Sequence, residues 1–266
     1  MYINLGLIGN PLQHTFSPVI HNYFFYKTSL CGGYTCFEAE KENLDALINM
    51  FKEYKFSGVN VTVPYKQEVI KYCSHLDITA KNIGAVNTLH FTEEGIIGHN
   101  TDIFGFHMML ESNGIDTANK RVLLLGAGGA SRAVIPYLHF KTPALFVIAN
   151  RTIEKAEELA YLYNNGAEIC FLDNLKGEKF DIVINATSIG VKGEQFIDYG
   201  FEVKEAAIDM IYKPKVTPFL SLYSSKNIKL VNGLSMLIYQ AAGSFNIWTG
   251  KNIDIDMQYF ENIVYK

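Results

Sequence analysis

The most chemically suggestive stretch of this chain is Gly126-Ala127-Gly128-Gly129-Ala130-Ser131, set between the apolar run 122–125 and a segment with helical character through Leu138. A Gly-x-Gly-x-x-Ser turn between strand and helix suits the pyrophosphate of a dinucleotide. The first glycine makes the tight turn, the second lets backbone approach the phosphates, and the third position needs only a small residue for packing. The helix N-terminus adds free N–H groups and the positive end of a dipole. A glycine-rich turn with no ligand is the bland alternative, and the flanking strand and helix count against it.

The next strand selects the nucleotide. An NAD site places Asp or Glu about 20 residues beyond the glycines to bond the ribose 2′-hydroxyl. Here the stretch reads Val147-Ile148-Ala149-Asn150-Arg151-Thr152, with no acid. Arg151 can grip a 2′-phosphate with its planar fork and stack on adenine. Thr152 adds a hydroxyl donor and Lys155 a second positive charge one turn on. The alternative for Arg151 is a solvated helix-start residue. NADP is therefore expected over NAD, and the missing acid also argues against a methyltransferase.

A hydride-carrying cofactor needs a proton donor beside the carbonyl that becomes an alcohol. Polar clusters that could supply one precede residue 103: His14-Thr15-Phe16-Ser17-Pro18, Asn60 to Lys66, Gly84 to Thr88, and Asn100-Thr101-Asp102. Taken singly, Asn and Thr at strand ends are more often caps and turns, and Lys66 alone reads as an exposed lysine. Together with the nucleotide site, Lys66 and Asp102 read as an acid/base pair. The ammonium supplies the proton and the carboxylate orients it and holds its charge.

Alternating strand-like and helix-like segments must position these groups. Strands are expected at 2–8, 58–63, 122–125, 145–149, 169–172, 182–185 and 207–209, with two more between 85 and 99 around Glu93-Glu94-Gly95. Leu44, Leu47, Ile48 and Phe51 form one helical stripe. Ser17 is expected to cap a helix that starts at Pro18, Thr101 a helix over 102–112, and Thr152 one over 154–163. A last helix, 234–248, carries Gln240 at the edge of an apolar stripe. Short apolar runs alternating with helices describe a parallel sheet covered on both faces. A domain boundary falls near 100–104.

With 48% hydrophobic and 19% charged residues among 266, the chain can bury one or two ordinary cores, which excludes a disordered protein. Net charge is −4 and only three of the 23 basic residues are Arg, so a nucleic-acid partner is not expected. The four cysteines show no zinc or disulfide spacing, which leaves no metal site. No signal peptide or membrane span is evident, and a cytoplasmic location is expected.

In order along the chain, these motifs resemble the shikimate dehydrogenase family. The resemblance runs through Gly9-Asn10-Pro11 with His14, Ser17, Pro18, His21 and Asn22; Asn60-Val61-Thr62-x-Pro64-x-Lys66; Gly84 to Thr88; and Asn100-Thr101-Asp102-x-x-Gly105. It continues through the glycine loop, Asn150-Arg151-Thr152, Asn185-Ala186-Thr187-Ser188-x-Gly190, Asp209-Met210-x-Tyr212-x-Pro214-x-x-Thr217, and Gly233 to Gln240-Ala241-Ala242.

The resemblance implies an NADP-dependent oxidoreductase that reversibly reduces 3-dehydroshikimate to shikimate in aromatic amino-acid (chorismate) biosynthesis. It implies an α/β fold of two domains with a cleft between them: an N-terminal substrate-binding domain, 1–103 joined by C-terminal helices 235–266, and a Rossmann-type NADP-binding domain, 104–234. Lys66 and Asp102 would be catalytic. Thr15 and Ser17 would hold the substrate carboxylate with Tyr212 nearby, and Thr62, Asn87 and Gln240 the ring hydroxyls. Gly126, Ala127, Gly128, Gly129, Ala130, Asn150, Arg151, Thr152 and Lys155 would hold NADP, with Met210 and Gly233 lining the nicotinamide. Thr15 departs from the family's usual Ser but keeps the hydroxyl. The partners implied are small molecules alone, for a monomer or homodimer without membrane contact. A quinate/shikimate dehydrogenase with broader substrate or NAD use is the nearest alternative. A non-catalytic nucleotide or metabolite sensor is another, and it would have no need of the Lys66–Asp102 pair.

Overall fold

The protein is described by a computed structural model covering residues 2–13, 15–163 and 166–266. His14 of the first polar cluster lies outside these residues. The chain forms two compact units, residues 1–105 with 238–260, and residues 106–237 with 261–266.

The first unit begins with β1 (Ile3–Gly9), α1 (Ser17–Thr28), β2 (Gly32–Glu38), α2 (Leu44–Glu53) and β3 (Gly58–Val61). Then come β4 (His75–Leu76), α3 (Ile78–Ile83), β5 (Thr88–Thr92), β6 (Gly95–His99) and the start of α4 (Asp102–Ser112). Its sheet has the order β2-β1-β3-β5-β6-β4. Strands β2, β1 and β3 are parallel, whereas β5 pairs antiparallel with both β3 and β6, because β5 and β6 form the hairpin read from Glu93-Glu94-Gly95. On one face Ile8, Val59, Val61, Leu89 and Ile96 pack with Leu44, Ile48 and Phe51 of α2, as the helical stripe requires.

Ser17, expected as the cap of α1, is instead its first residue, and Phe16 occupies the cap position. The hydroxyl of Thr15 takes the Ser17 N–H at 3.2 Å, doing the capping from one residue further out and leaving the Ser17 hydroxyl to other partners. Thr101 likewise does not cap α4 with its side chain. Asn100 Oδ1 accepts the Asp102 N–H at 3.1 Å, and the Thr101 hydroxyl turns into a buried network.

The second unit contains β7 (Arg121–Leu125), α5 (Val134–Lys141), β8 (Leu145–Ala149), α6 (Ile153–Tyr163), β9 (Glu168–Cys170), β10 (Lys179–Asn185), β11 (Glu202–Asp209), α7 (Pro218–Ser221) and β12 (Lys229–Asn232). Its six strands are all parallel, ordered β12-β11-β10-β7-β8-β9. This is the doubly wound order, whose direction reverses between β7 and β10. Both faces are covered. Val122, Leu124, Ile148, Ile182 and Ile184 enter one core, while Leu123, Leu125, Val147, Ala149 and Val183 enter the other. That division is why these strands read as unbroken apolar runs.

The segment after the glycine loop is not one helix. Ala130–Ala133 forms a 3-10 turn before α5 begins, because Pro136 has no N–H to give the carbonyl four residues earlier. The chain closes with α8 (Leu234–Thr249), which passes from the second unit into the first, and α9 (Met257–Val264). Residues 261–266 group with the second unit rather than the first. There the Tyr265 hydroxyl donates to the Tyr212 carbonyl at 2.9 Å, and Lys215 pairs with Glu261 at 2.8 Å. Among the described residues, no helix is long and apolar enough to cross a membrane and no group of side chains could hold a metal ion.

Candidate active site

In the first unit the ends of β3, β5 and β6 carry the polar clusters. Lys66 Nζ donates to Asp102 Oδ2 at 2.6 Å. Both side chains are partly exposed, at 30% and 20%, so the pair is set in the surface and reachable by solvent and ligand. The other oxygen, Asp102 Oδ1, accepts from Asn87 Nδ2 at 2.9 Å. With a separate partner on each oxygen the carboxylate cannot rotate without losing a charge-assisted hydrogen bond.

Asn87 is held in turn. Its Oδ1 accepts from the Thr101 N–H at 2.8 Å and the Thr88 hydroxyl at 2.7 Å, which fixes which end of the amide faces Asp102. Its Nδ2 also reaches Thr101 Oγ1 at 3.0 Å and Gln240 Oε1 at 3.5 Å, the longest of its contacts. Gln240 at the edge of the apolar stripe of α8 thus faces the same amide as the catalytic candidates.

Behind this group lies a hub that the sequence did not disclose. Ser244, fully buried one turn after Gln240, bonds Asn60 Nδ2 at 2.9 Å, Thr88 Oγ1 at 2.8 Å and Thr101 Oγ1 at 3.1 Å. Asn60 accepts from the Tyr34 hydroxyl at 2.8 Å. The only sequence signal for Ser244 is a hydroxyl on an otherwise apolar helical face.

Thr15 Oγ1 donates to Ser17 Oγ at 3.1 Å, so these two hydroxyls stand side by side at the start of α1. Thr62 follows β3 and donates its N–H to the Ile8 carbonyl at 2.9 Å, placing it beside Gly9 at the end of β1. Tyr212 belongs to the second unit, on the loop after β11.

In the second unit the glycine loop leaves β7. Gly126 has φ +97°, and an added Cβ would lie 3.0 Å from the Thr187 methyl, so conformation and space both demand glycine. The Ser131 hydroxyl, fully buried, donates to the Gly126 carbonyl at 2.8 Å and closes the turn. Gly128 and Gly129 have nothing within 4 Å of where a Cβ would stand, so their backbone faces open space, as a phosphate cradle must. Ala127 is half-buried behind them and Ala130 is exposed.

At the end of β8, Asn150 turns its amide onto the Thr152 carbonyl at 2.7 Å. Arg151, Thr152 and Lys155 are exposed, and neither cation joins an ion pair among the described residues. An open loop, two uncommitted cations and no carboxylate at this strand end fit a dinucleotide bearing a 2′-phosphate. Met210 follows β11, and what requires glycine at 233 is Met210 itself, whose carbonyl oxygen would lie 2.2 Å from an added Cβ.

Known proteins carry the same pattern across the whole chain. Three family models match in order: the shikimate dehydrogenase substrate binding domain over residues 7–89, shikimate / quinate 5-dehydrogenase over 109–192, and the shikimate 5'-dehydrogenase C-terminal domain over 233–256. A shikimate dehydrogenase (NADP(+)) of Methanococcus aeolicus is 41% identical over 263 residues, covering 95% of this chain and 94% of its own. The chain belongs to the shikimate dehydrogenase family. Among solved structures of the family, a shikimate dehydrogenase in complex with NADP+ is 38% identical with a TM-score of 0.88, over 99% of this chain and 94% of its own. The Thermus thermophilus enzyme in complex with NADP(H) and shikimate is 31% identical with a TM-score of 0.84, over 95% of each chain.

Proposed function

We propose that this chain is an NADP-dependent shikimate dehydrogenase that reversibly reduces 3-dehydroshikimate to shikimate. The observation that carries the reading is the Lys66–Asp102 pair at 2.6 Å, with Asn87 on the second carboxylate oxygen, in a member of this family. NADPH, when bound, supplies the hydride that the ketone carbon takes up. Lys66 gives its ammonium proton to the ketone oxygen, which stays on the ring as the new hydroxyl, and recovers a proton from solvent. Asp102 keeps the ammonium aimed and balances its charge, and the Asn87 amide keeps Asp102 from turning away. In the reverse direction the neutral amine accepts the hydroxyl proton.

Thr15 and Ser17 hold the substrate carboxylate, and their paired hydroxyls replace an arginine there. Tyr212 serves the same end, and Thr62, Asn87 and Gln240 receive the ring hydroxyls. The loop from Gly126 to Ala130 holds the pyrophosphate, and Asn150, Arg151, Thr152 and Lys155 the adenosine 2′-phosphate, with Met210 and Gly233 at the nicotinamide. The substrate part is the first unit, 1–105 with 238–260, and the cofactor part the second, 106–237 with 261–266. The reading includes a cytoplasmic location and a monomer or homodimer with small-molecule partners.

A spectrophotometric assay with shikimate and quinate, each against NADP and NAD, tests the reading. Shikimate with NADP is expected to be fastest. Quinate with NAD at an equal rate would move the chain to the broader quinate/shikimate class, and no turnover with any pair would leave a sensor.

A further inference from the structure

The strongest unused group is a carboxylate. Asp209, at the end of β11, is completely buried and joins no ion pair among the described residues. Its Oδ1 accepts from Asn185 Nδ2 at 3.0 Å and from the Ile211 N–H at 3.1 Å, and its Oδ2 accepts from the Thr217 hydroxyl at 2.5 Å. All three partners donate to the carboxylate. Burial without a cation pushes the carboxyl up to about 6, which makes this an expensive way to hold a fold together.

The three donors lie on three different segments, the end of β10, the loop after β11 and the start of α7, and the first of these leads to the nucleotide loop. Asn185 sits between Leu125 and Asp209 in the sheet register, and its Oδ1 fixes both the N–H of Thr187 at 3.1 Å and its hydroxyl at 2.7 Å. Thr187 is the residue against which the Gly126 turn is packed. Ile211 lies between Met210 and Tyr212, and its carbonyl accepts the Gly233 N–H at 3.1 Å. Thr217 caps α7 by accepting from the Leu220 N–H at 3.2 Å.

We propose that Asp209 is a positioning residue for the nucleotide site: through Asn185 and Thr187 it sets the back of the Gly126 turn, and through Ile211, whose carbonyl holds the Gly233 N–H, it sets Met210 against Gly233. This rests on the cofactor reading above. A mere structural staple would lower stability when cut and leave ligand affinity alone. A positioning residue lowers NADPH affinity selectively, and the effect is restored by a side chain of the same shape. In Asp209→Asn the remaining oxygen still accepts from Asn185 and Ile211, and the new amide donates to Thr217 Oγ1.

The test is fluorescence titration of NADPH into the full-length protein, with the KM for shikimate measured alongside. Asp209→Ala is expected to weaken NADPH about tenfold or more, the scale of one lost charge-assisted hydrogen bond, and to leave the shikimate KM within about twofold. Asp209→Asn is expected to bind NADPH within about threefold of the parent. Asn185→Ala, which cuts the link while sparing the carboxylate, should weaken NADPH as Asp209→Ala does, and it decides the matter if Asp209→Ala does not fold. Parent-like NADPH affinity in a folded Asp209→Ala or Asn185→Ala overturns the inference, as does an equal loss for shikimate. A parent protein that binds no NADPH at all overturns the cofactor reading itself.

Discussion

At the scale of single residues, the site depends on groups whose neighbours leave them one orientation. Asp102 has a cation on one oxygen and an amide on the other, and Asn87 is pinned at both ends. Arg151 is the opposite case, an exposed fork with no ion-pair partner among the described residues and no carboxylate at its strand end. Arg151→Ala is therefore expected to weaken NADP by about tenfold to a hundredfold, the worth of a charge-assisted contact, and to leave NAD nearly unchanged. Titration of both cofactors checks this, and equal losses would remove Arg151 from the 2′-phosphate. His21 makes a different kind of prediction. It is fully buried, stacks on Tyr34 with ring centroids 4.1 Å apart, and burial pulls its pKa down to about 3, with Asn60 partly opposing. In the unfolded chain the imidazole binds its proton near 6.5, so folding releases that proton between the two values. Stability is full above pH 6.5 and falls as pH drops, approaching about 1.4 kcal/mol per unit from this group. His21→Phe should flatten that slope in urea melts between pH 7 and 4; an unchanged slope would mean that the imidazole takes up a proton in the fold.

At the scale of elements, α8 shows how packing places chemistry. Trp248 Nε1 donates to the Leu89 carbonyl at 2.9 Å, and the ring lies so close over β3 that a Cβ on Gly58 would stand 1.8 Å from Nε1. Gly58→Ala is expected to push the indole off its acceptor and destabilise the first unit by about 2–4 kcal/mol, from overpacking and an unpaired N–H together. The melting midpoint should fall while NADPH affinity stays, because the nucleotide loop belongs to the other unit. A parent-like midpoint would show that the helix gives way freely. Strands β7, β8 and β10 and helix α8 were legible because each is apolar on the faces it buries, with a period that sequence displays. Strand β2 was not, since it opens on Gly32-Gly33, and Gly32 is needed only because Phe25 and the Ile3 carbonyl crowd it. Helix α3 had readable punctuation, Asp77 accepting from the Ala80 N–H and Gly84 at φ +68°, but its six residues show no hydrophobic period. Ser244 was illegible for a stronger reason: its side-chain partners Asn60, Thr88 and Thr101 lie 184, 156 and 143 residues away, so only the folded chain relates them.

At the scale of the whole molecule, one chain builds two sheets with different rules. The mixed sheet of the first unit gathers hydroxyls, amides and the Lys66–Asp102 pair. The parallel sheet of the second offers an open glycine loop at its switch point. The net charge of −4 offers no general attraction to a phosphorylated cofactor or a carboxylate substrate, so affinity must come from local donors. The central claim is that Lys66 delivers the proton. Its most direct test is single-turnover oxidation of bound NADPH by 3-dehydroshikimate in Lys66→Ala, with NADPH affinity measured separately by fluorescence. The rate is expected to fall about 10²- to 10⁴-fold, the worth of a positioned general acid, with NADPH affinity within about twofold of the parent. Turnover at the parent rate with the side chain gone would contradict the account.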